Sequence, residues 1–172
     1  EETQLLGAGV QDGMVCIPGT HSKWVTLQNG TVTHFNTFMT GELFAVLSAY
    51  SILQHGVTPA MQIAPNAPAF LEAVREMQVD GAALTAKLFS VRARGLVGDA
   101  DGASGAARLS GLLIGAEIAA ARPVGPVTLL ASGGASELYA AALTAADVQT
   151  KTLDAEMASQ AGLVRAAQMI WS

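Results

Sequence analysis

Residues 14–35 read MVCIPGTHSKWVTLQNGTVTHF. The run decides the fold because it alternates twice and turns twice. Gly13 precedes the apolar stretch "MVCI", a short strand, and Pro18-Gly19 ends it with a turn. Residues 23–27 form a second strand, with Trp24 and Thr26 on one face and Val25 and Leu27 on the other. "QNG" at 28–30 is a hairpin signal, and residues 31–35 alternate again as a third strand. The chain therefore opens with an antiparallel meander.

The period changes from two to helical at Thr40. "TGELFAVLSAYSILQHG" spaces Leu43, Leu47, Tyr50 and Leu53/Gln54 along one face, with Thr40 as the expected N-cap and Gly56 and Pro59 as the end. Residues 57–68 carry three prolines and read as a linker. Helices are predicted over 68–78, over 84–96 and, most apolar of all, over 106–121. The last carries Gly111, Gly115 and Ala119 as a low ridge that permits close approach of another element. Residues 98–104, "GDADGAS", read as a loop whose acids do not match calcium-loop spacing. "VTLLA" at 127–131 is a buried-type strand. "SGGASE" follows, then an Ala-rich helix to about 145, a short strand over 148–152 and a helix over 157–170. A meander followed by strand–glycine–helix–strand–helix makes the chain α/β, with a mixed sheet and flanking helices.

Composition narrows the function. The chain has 172 residues, a net charge of -5 and 13% charged residues, about half the usual charged share. So sparse a surface suggests cover by another domain or subunit. No basic stripe with interleaved aromatics is present, which argues against nucleic acid. No apolar run reaches membrane-spanning length; residues 109–121 are too few and include Glu117. The single cysteine, Cys16, rules out an internal disulfide and a cysteine metal cluster, reads as a core residue and fits a reducing cytoplasm. His21, His34 and His55 lack metal-ligand spacing.

Two glycine turns carry the functional signal. In "PGTHSKW", Gly19 allows a sharp turn. Backbone N–H groups with the Thr20 and Ser22 hydroxyls suit an anion, Lys23 adds a point charge, and His21 is a proton carrier. A plain hairpin with water-facing Lys and Ser is the alternative. In "ASGGASE", Gly133 and Gly134 lie between a buried strand and a helix opened by Ser136 and Glu137. That arrangement suits a phosphate or a nucleoside, or an ordinary tight turn. It is neither a dinucleotide fingerprint nor a P-loop. Thr37 and Thr40 flank a helix start with Glu42 in its first turn. Capping explains Thr40, and a sugar hydroxyl or magnesium-linked water held by Thr40 and Glu42 is the functional reading. His34 and Asn36 are further hydrogen-bonding groups on the strand.

The stretches "EETQLLGA", "IPGTHSKWV", "FNTFMTGELFAVLSAYSIL", "LFSVRARGL", "LSGLLIGAEI" and "LLASGGASELYAAAL", in this order, resemble the 2-dehydro-3-deoxygalactonokinase family, bacterial sugar-acid kinases of galactonate catabolism. The resemblance implies the actin/hexokinase-like (ribonuclease H-like) two-lobe ATPase fold. It implies ATP with Mg2+, and phosphoryl transfer to the 6-hydroxyl of 2-dehydro-3-deoxy-D-galactonate in the cytoplasm. The family's first phosphate loop has no counterpart here, so residues 1–172 are expected to be the C-terminal lobe, with the N-terminal lobe absent. Residues 1–56 would hold the meander and interdomain helix, 57–125 the helical middle and 126–172 the nucleotide-side unit. The catalytic group implied is Thr20, His21, Lys23 and Glu42. The cofactor-binding group is Gly19, Thr40, Gly41, Gly133, Gly134 and Glu137, with Glu2 and Gln4 near the cleft. No protein metal ligand is expected. The expected partners are a small sugar acid and the missing lobe, with a homodimer left open. Another sugar or sugar-acid kinase of the same fold, or a nucleotide-binding module without turnover, is the alternative function.

Overall fold

The computed structural model describes residues 1–58, 62–98 and 100–171. Pro59, the expected end of the second helix, lies outside them. β1 (Gly13–Ile17), β2 (Ser22–Gln28), β3 (Thr31–Phe38), β4 (Val127–Leu130) and β5 (Thr150–Leu153) form one sheet in the order β3-β2-β1-β4-β5. The meander pairs antiparallel, whereas β1–β4 and β4–β5 pair parallel. The sheet is mixed, as expected. The meander strands extend beyond the predicted ends because backbone pairing continues past the alternating apolar residues.

Strand alternation divides the core into two layers. Val15, Ile17, Val25, Leu27 and Leu130 face a layer that includes Leu5 of α1 (Glu2–Ala8) and Ala158 of α7 (Ala155–Trp171). Cys16, Trp24, Val127 and Leu129 face the opposite layer. There they meet Phe70 and Val74 of α3 (Pro68–Val79), Ile114 and Ile118 of α5 (Gly102–Ala121), and Tyr139 and Leu143 of α6 (Gly133–Ala145). Covering both faces buries Val127 and Leu129 on one side and Leu130 on the other, with Thr128 half-buried between them. A further cluster, including Leu53, Met77, Val91, Leu109 and Leu112, joins α3 and α5 to α4 (Leu84–Leu96) and the 3₁₀ turn Ile52–Gly56. Cys16 is fully buried, as its apolar run implied.

The glycine ridge of α5 is a contact with the chain's own core. A Cβ at Gly111 would lie 2.4 Å from the Phe70 carbonyl oxygen, and one at Gly115 2.9 Å from the Val74 Cα. Near its N-terminus, α5 carries a buried Arg108 that donates from both terminal nitrogens to Glu76 at 2.9 Å and from Nε to Ser90 at 2.9 Å.

Four local expectations are corrected. The expected loop over 98–104 ends at Asp101, whose carboxylate accepts from the Ser104 N–H at 2.8 Å and starts α5 at Gly102. The first residues form α1, too short to show a period and held by α7. Its Gly7 packs so closely that a Cβ would lie 1.7 Å from the Ala158 carbonyl oxygen. Thr40 does not cap α2 (Thr40–Tyr50): Met39 holds the N-cap position and Thr40 lies inside the first turn, its side chain turned inward. α6 begins at Gly133 rather than at Ser136, so the glycines are its first residues.

Candidate active-site cleft

β1 and β4 are parallel neighbours, so their carboxyl ends open at the same sheet edge, where ligands bind in open α/β sheets. A cavity of about 360 Å3 lies there. One wall is the β1–β2 turn, with Gly19, Thr20, His21 and Lys23; the other is the β4–α6 junction, with Ser132 and Ala135. The two glycine turns, more than half the chain apart in sequence, therefore share one cleft.

The β1–β2 turn is held by the first turn of α2. The Glu42 N–H donates to the Thr20 carbonyl at 3.1 Å. A Cβ on Gly41 would lie 2.8 Å from both the Gly19 oxygen and the Thr20 Cα, so only glycine permits this approach. His21 Nε2 lies 2.5 Å from Glu42 Oε2. Lys23 Nζ pairs with Glu1 Oε1 at 2.6 Å and donates to the His21 carbonyl at 3.0 Å, which draws the ammonium over the turn.

On the other wall, Gly133 has φ +63, and nothing lies within 4 Å of the site of a Cβ. Glycine is favoured there by backbone conformation and not by crowding. No side chain caps α6. The Ser132 hydroxyl is engaged elsewhere: it donates to Asp154 Oδ2 at 3.0 Å and accepts from the Ala155 N–H at 3.1 Å. Asp154 also accepts from the Glu156 and Met157 N–H groups, and these N–H groups with Ser132 hold its carboxyl below the usual range.

Of the expected residues, Gly19, Thr20, His21, Lys23 and Gln4 line this cavity; Glu42 reaches it through His21, and Gly133 and Gly134 lie between the lining residues Ser132 and Ala135 without lining it themselves. Glu2 and Glu137 are exposed and stand outside the lining. His34, Asn36 and Thr37 lie on β3, an exposed edge strand, opposite Thr26, Trp24 and Lys23. Thr40 is buried and its hydroxyl donates to Glu117.

Glu117 was missed as a site residue. It is 2% exposed on α5 and collects four donors. Trp24 Nε1 donates to Oε1 at 2.7 Å. Ser22 Oγ at 2.7 Å, Tyr139 OH at 2.9 Å and the Thr40 hydroxyl all donate to Oε2. Burial and then the Glu117 charge push both the Cys16 thiol and the Tyr139 phenol well up, so Tyr139 stays a donor. The one signal in the sequence was an acid in the middle of the most apolar helix. Among the described residues, no three His, Cys, Asp or Glu side chains converge on a metal position, and no helix is long and apolar enough to cross a membrane.

Residues 1–166 match the family described as 2-keto-3-deoxy-galactonokinase. The chain belongs to that family. It is 45% identical over 99% of its length to a Rhizobium meliloti protein described as a probable 2-dehydro-3-deoxygalactonokinase, and 34% identical over 95% of its length to the Escherichia coli 2-dehydro-3-deoxygalactonokinase. It spans 58% and 56% of those two relatives. A Sinorhizobium meliloti crystal structure given the same kinase description superposes with a TM-score of 0.95 at 45% identity, over 99% of this chain and 59% of that one. As in that galactonokinase-family structure, the mixed sheet with helices on both faces is an actin/hexokinase-like ATPase fold.

Proposed function

We propose that this chain forms the C-terminal lobe of a 2-dehydro-3-deoxygalactonokinase, which transfers the γ-phosphoryl group of ATP to the 6-hydroxyl of 2-dehydro-3-deoxy-D-galactonate. The observation that carries the reading is the meeting of the two glycine turns at one cavity beyond β1 and β4. A second lobe would close the cleft and exclude water.

The residues present fit a polyphosphate. Thr20 and Lys23 line one wall, and Ser132 and Ala135, beside the start of α6, line the other; the Lys23 ammonium, paired with Glu1, would turn to the phosphates. Thr20, Gly19 and Lys23 would hold the transferring end, and Gly133 and Gly134 would let the nucleoside end approach the backbone. Magnesium, when bound, neutralises charge on the phosphate oxygens. Glu42 is the one expected carboxylate at this wall, and it suits an ion held mainly by the nucleotide and water. His21 Nε2 is engaged by Glu42 Oε2 at 2.5 Å, which leaves Nδ1 as the ring nitrogen able to orient the sugar hydroxyl or take its proton.

The test is phosphorylation of 2-dehydro-3-deoxygalactonate by the protein as its gene encodes it. Product should form with ATP, and Lys23→Ala should lower kcat/KM about a hundredfold, the scale of one lost charge-stabilising group. No product with this or any other sugar acid would overturn the reading. Product with a different sugar acid alone would change the substrate and keep the reaction class. A nucleotide-binding module without turnover is the second reading. It predicts ADP binding with no transfer.

A further inference from the structure

We infer that Glu117 is the positioning residue of the cleft: its one carboxylate sets the β1–β2 turn, the start of α2 and α6 relative to one another, coupling the two walls. The purpose of this coupling rests on the phosphoryl-transfer reading, but the coupling itself belongs to the folded chain and can be read without a ligand.

Glu117 is carried by α5, and its donors come from three other elements: Ser22 and Trp24 from β2, Thr40 from α2, Tyr139 from α6. Each anchors a piece of the cleft. Ser22 lies between His21 and Lys23. Thr40 precedes Gly41 and Glu42, whose backbones pack on Gly19 and Thr20. Tyr139 fixes the helix whose first residues are Gly133 and Gly134. Three of the four donors converge on the same oxygen, Oε2, so a shift of one element changes the hydrogen bonds left to the others.

Stability alone does not account for this group. An acid buried in an apolar helix is costly, and no ion pair offsets it: the salt bridges among the described residues do not include Glu117. Glu76, by contrast, binds Arg108 and Lys87. An apolar residue of similar volume commonly serves stability as well as a buried ion does. What an apolar residue cannot do is hold hydroxyls from three elements at one point.

The test uses amide hydrogen exchange in single-hydroxyl variants. Tyr139→Phe, on α6, should speed exchange at Glu42, whose N–H donates to the Thr20 carbonyl. Ser22→Ala, on β2, should speed exchange at Leu138 and Tyr139, whose N–H groups are the first-turn bonds inside α6, because a coupling acts in both directions. The expected acceleration is about fivefold, the size of one net hydrogen bond. Acceleration confined to the mutated element in both variants would overturn the inference. Each variant deletes only one O–H, so the test stands even where Glu117→Gln does not fold. In the protein as encoded, a folded Glu117→Gln should lower kcat by a larger factor than it raises KM for ATP. Loss of reciprocal exchange with turnover intact in the unaltered protein sinks the positioning role alone. No ADP binding by the unaltered protein, with reciprocal exchange present, sinks the kinase reading and leaves the coupling standing.

Discussion

At Gly41 a methyl group would meet the backbone of Gly19 and Thr20 at 2.8 Å. Backbone atoms cannot swing aside as a side chain can, so Gly41→Ala should push α2 away from the β1–β2 turn. The expected cost is about 1–3 kcal/mol in urea unfolding, the usual range for overpacking, together with weaker nucleotide binding. Glu76 supports a different prediction. The Arg108 guanidinium, with Lys87 helping against partial burial, lowers its carboxyl from 4.5 to about 2. The folded chain thus binds this proton more weakly than the unfolded chain. Its contribution is complete above about pH 4.5 and disappears as the pH falls towards 2. Glu76→Ala should cost about 1–3 kcal/mol at neutral pH by leaving the buried Arg108 donors unsatisfied. It should also flatten the stability profile over that acid window, read as urea midpoints at stepped pH. Residues at this scale were legible where chemistry clustered in sequence, as in Thr20, His21 and Lys23. Glu117 was not, because its four donors are scattered over three elements and only folding brings them to it.

Elements were legible in proportion to their length and period. α4 spans Leu84–Leu96, as its amphipathic spacing predicted. α3 and the meander were likewise marked by proline, turn residues and alternation. α1 has seven residues, too few to nucleate a helix unaided; its stability is tertiary and left no local trace. Thr40 was misread for a related reason. A threonine at a helix start suits capping by sequence rules, but here its hydroxyl finds a buried carboxylate instead. The α3–α5 contact gives the prediction at this scale. Gly111→Ala would place a methyl 2.4 Å from the Phe70 carbonyl oxygen. The helices must separate, and thermal unfolding should report a loss of about 1–3 kcal/mol. Exposed Gly98, with nothing within 4 Å of its Cβ position but a φ of +82, should respond to alanine through backbone strain only, about 1 kcal/mol.

For the whole molecule, the mixed sheet could be read from element order, but the strand order could not. Nothing local tells β4 to pair with β1 rather than with β3. β3 is exposed along nearly all its length, whereas Val15, Cys16 and Ile17 of β1 are buried, so β1 is the neighbour beside which both faces of β4 are covered. The resulting map divides into near and far contacts. β2 and β3 meet across a short turn, whereas Val127 pairs with Met14. Loop closure of that size slows assembly. In pulsed exchange during refolding, the amides of the β2–β3 hairpin should gain protection before those joining β1 to β4; simultaneous protection would show that the sheet forms in one step.

The backbone contact between α1 and α7 has a meaning in time as well as in space. Gly162 lies so near Thr3 that a Cβ would sit 1.8 Å from its carbonyl oxygen. On a ribosome, α1 is the earliest of these helices to emerge and α7 the latest. The layer that Val15, Val25 and Leu27 share with Leu5 of α1 is therefore completed by Ala158 of α7 only when translation of these residues is nearly over.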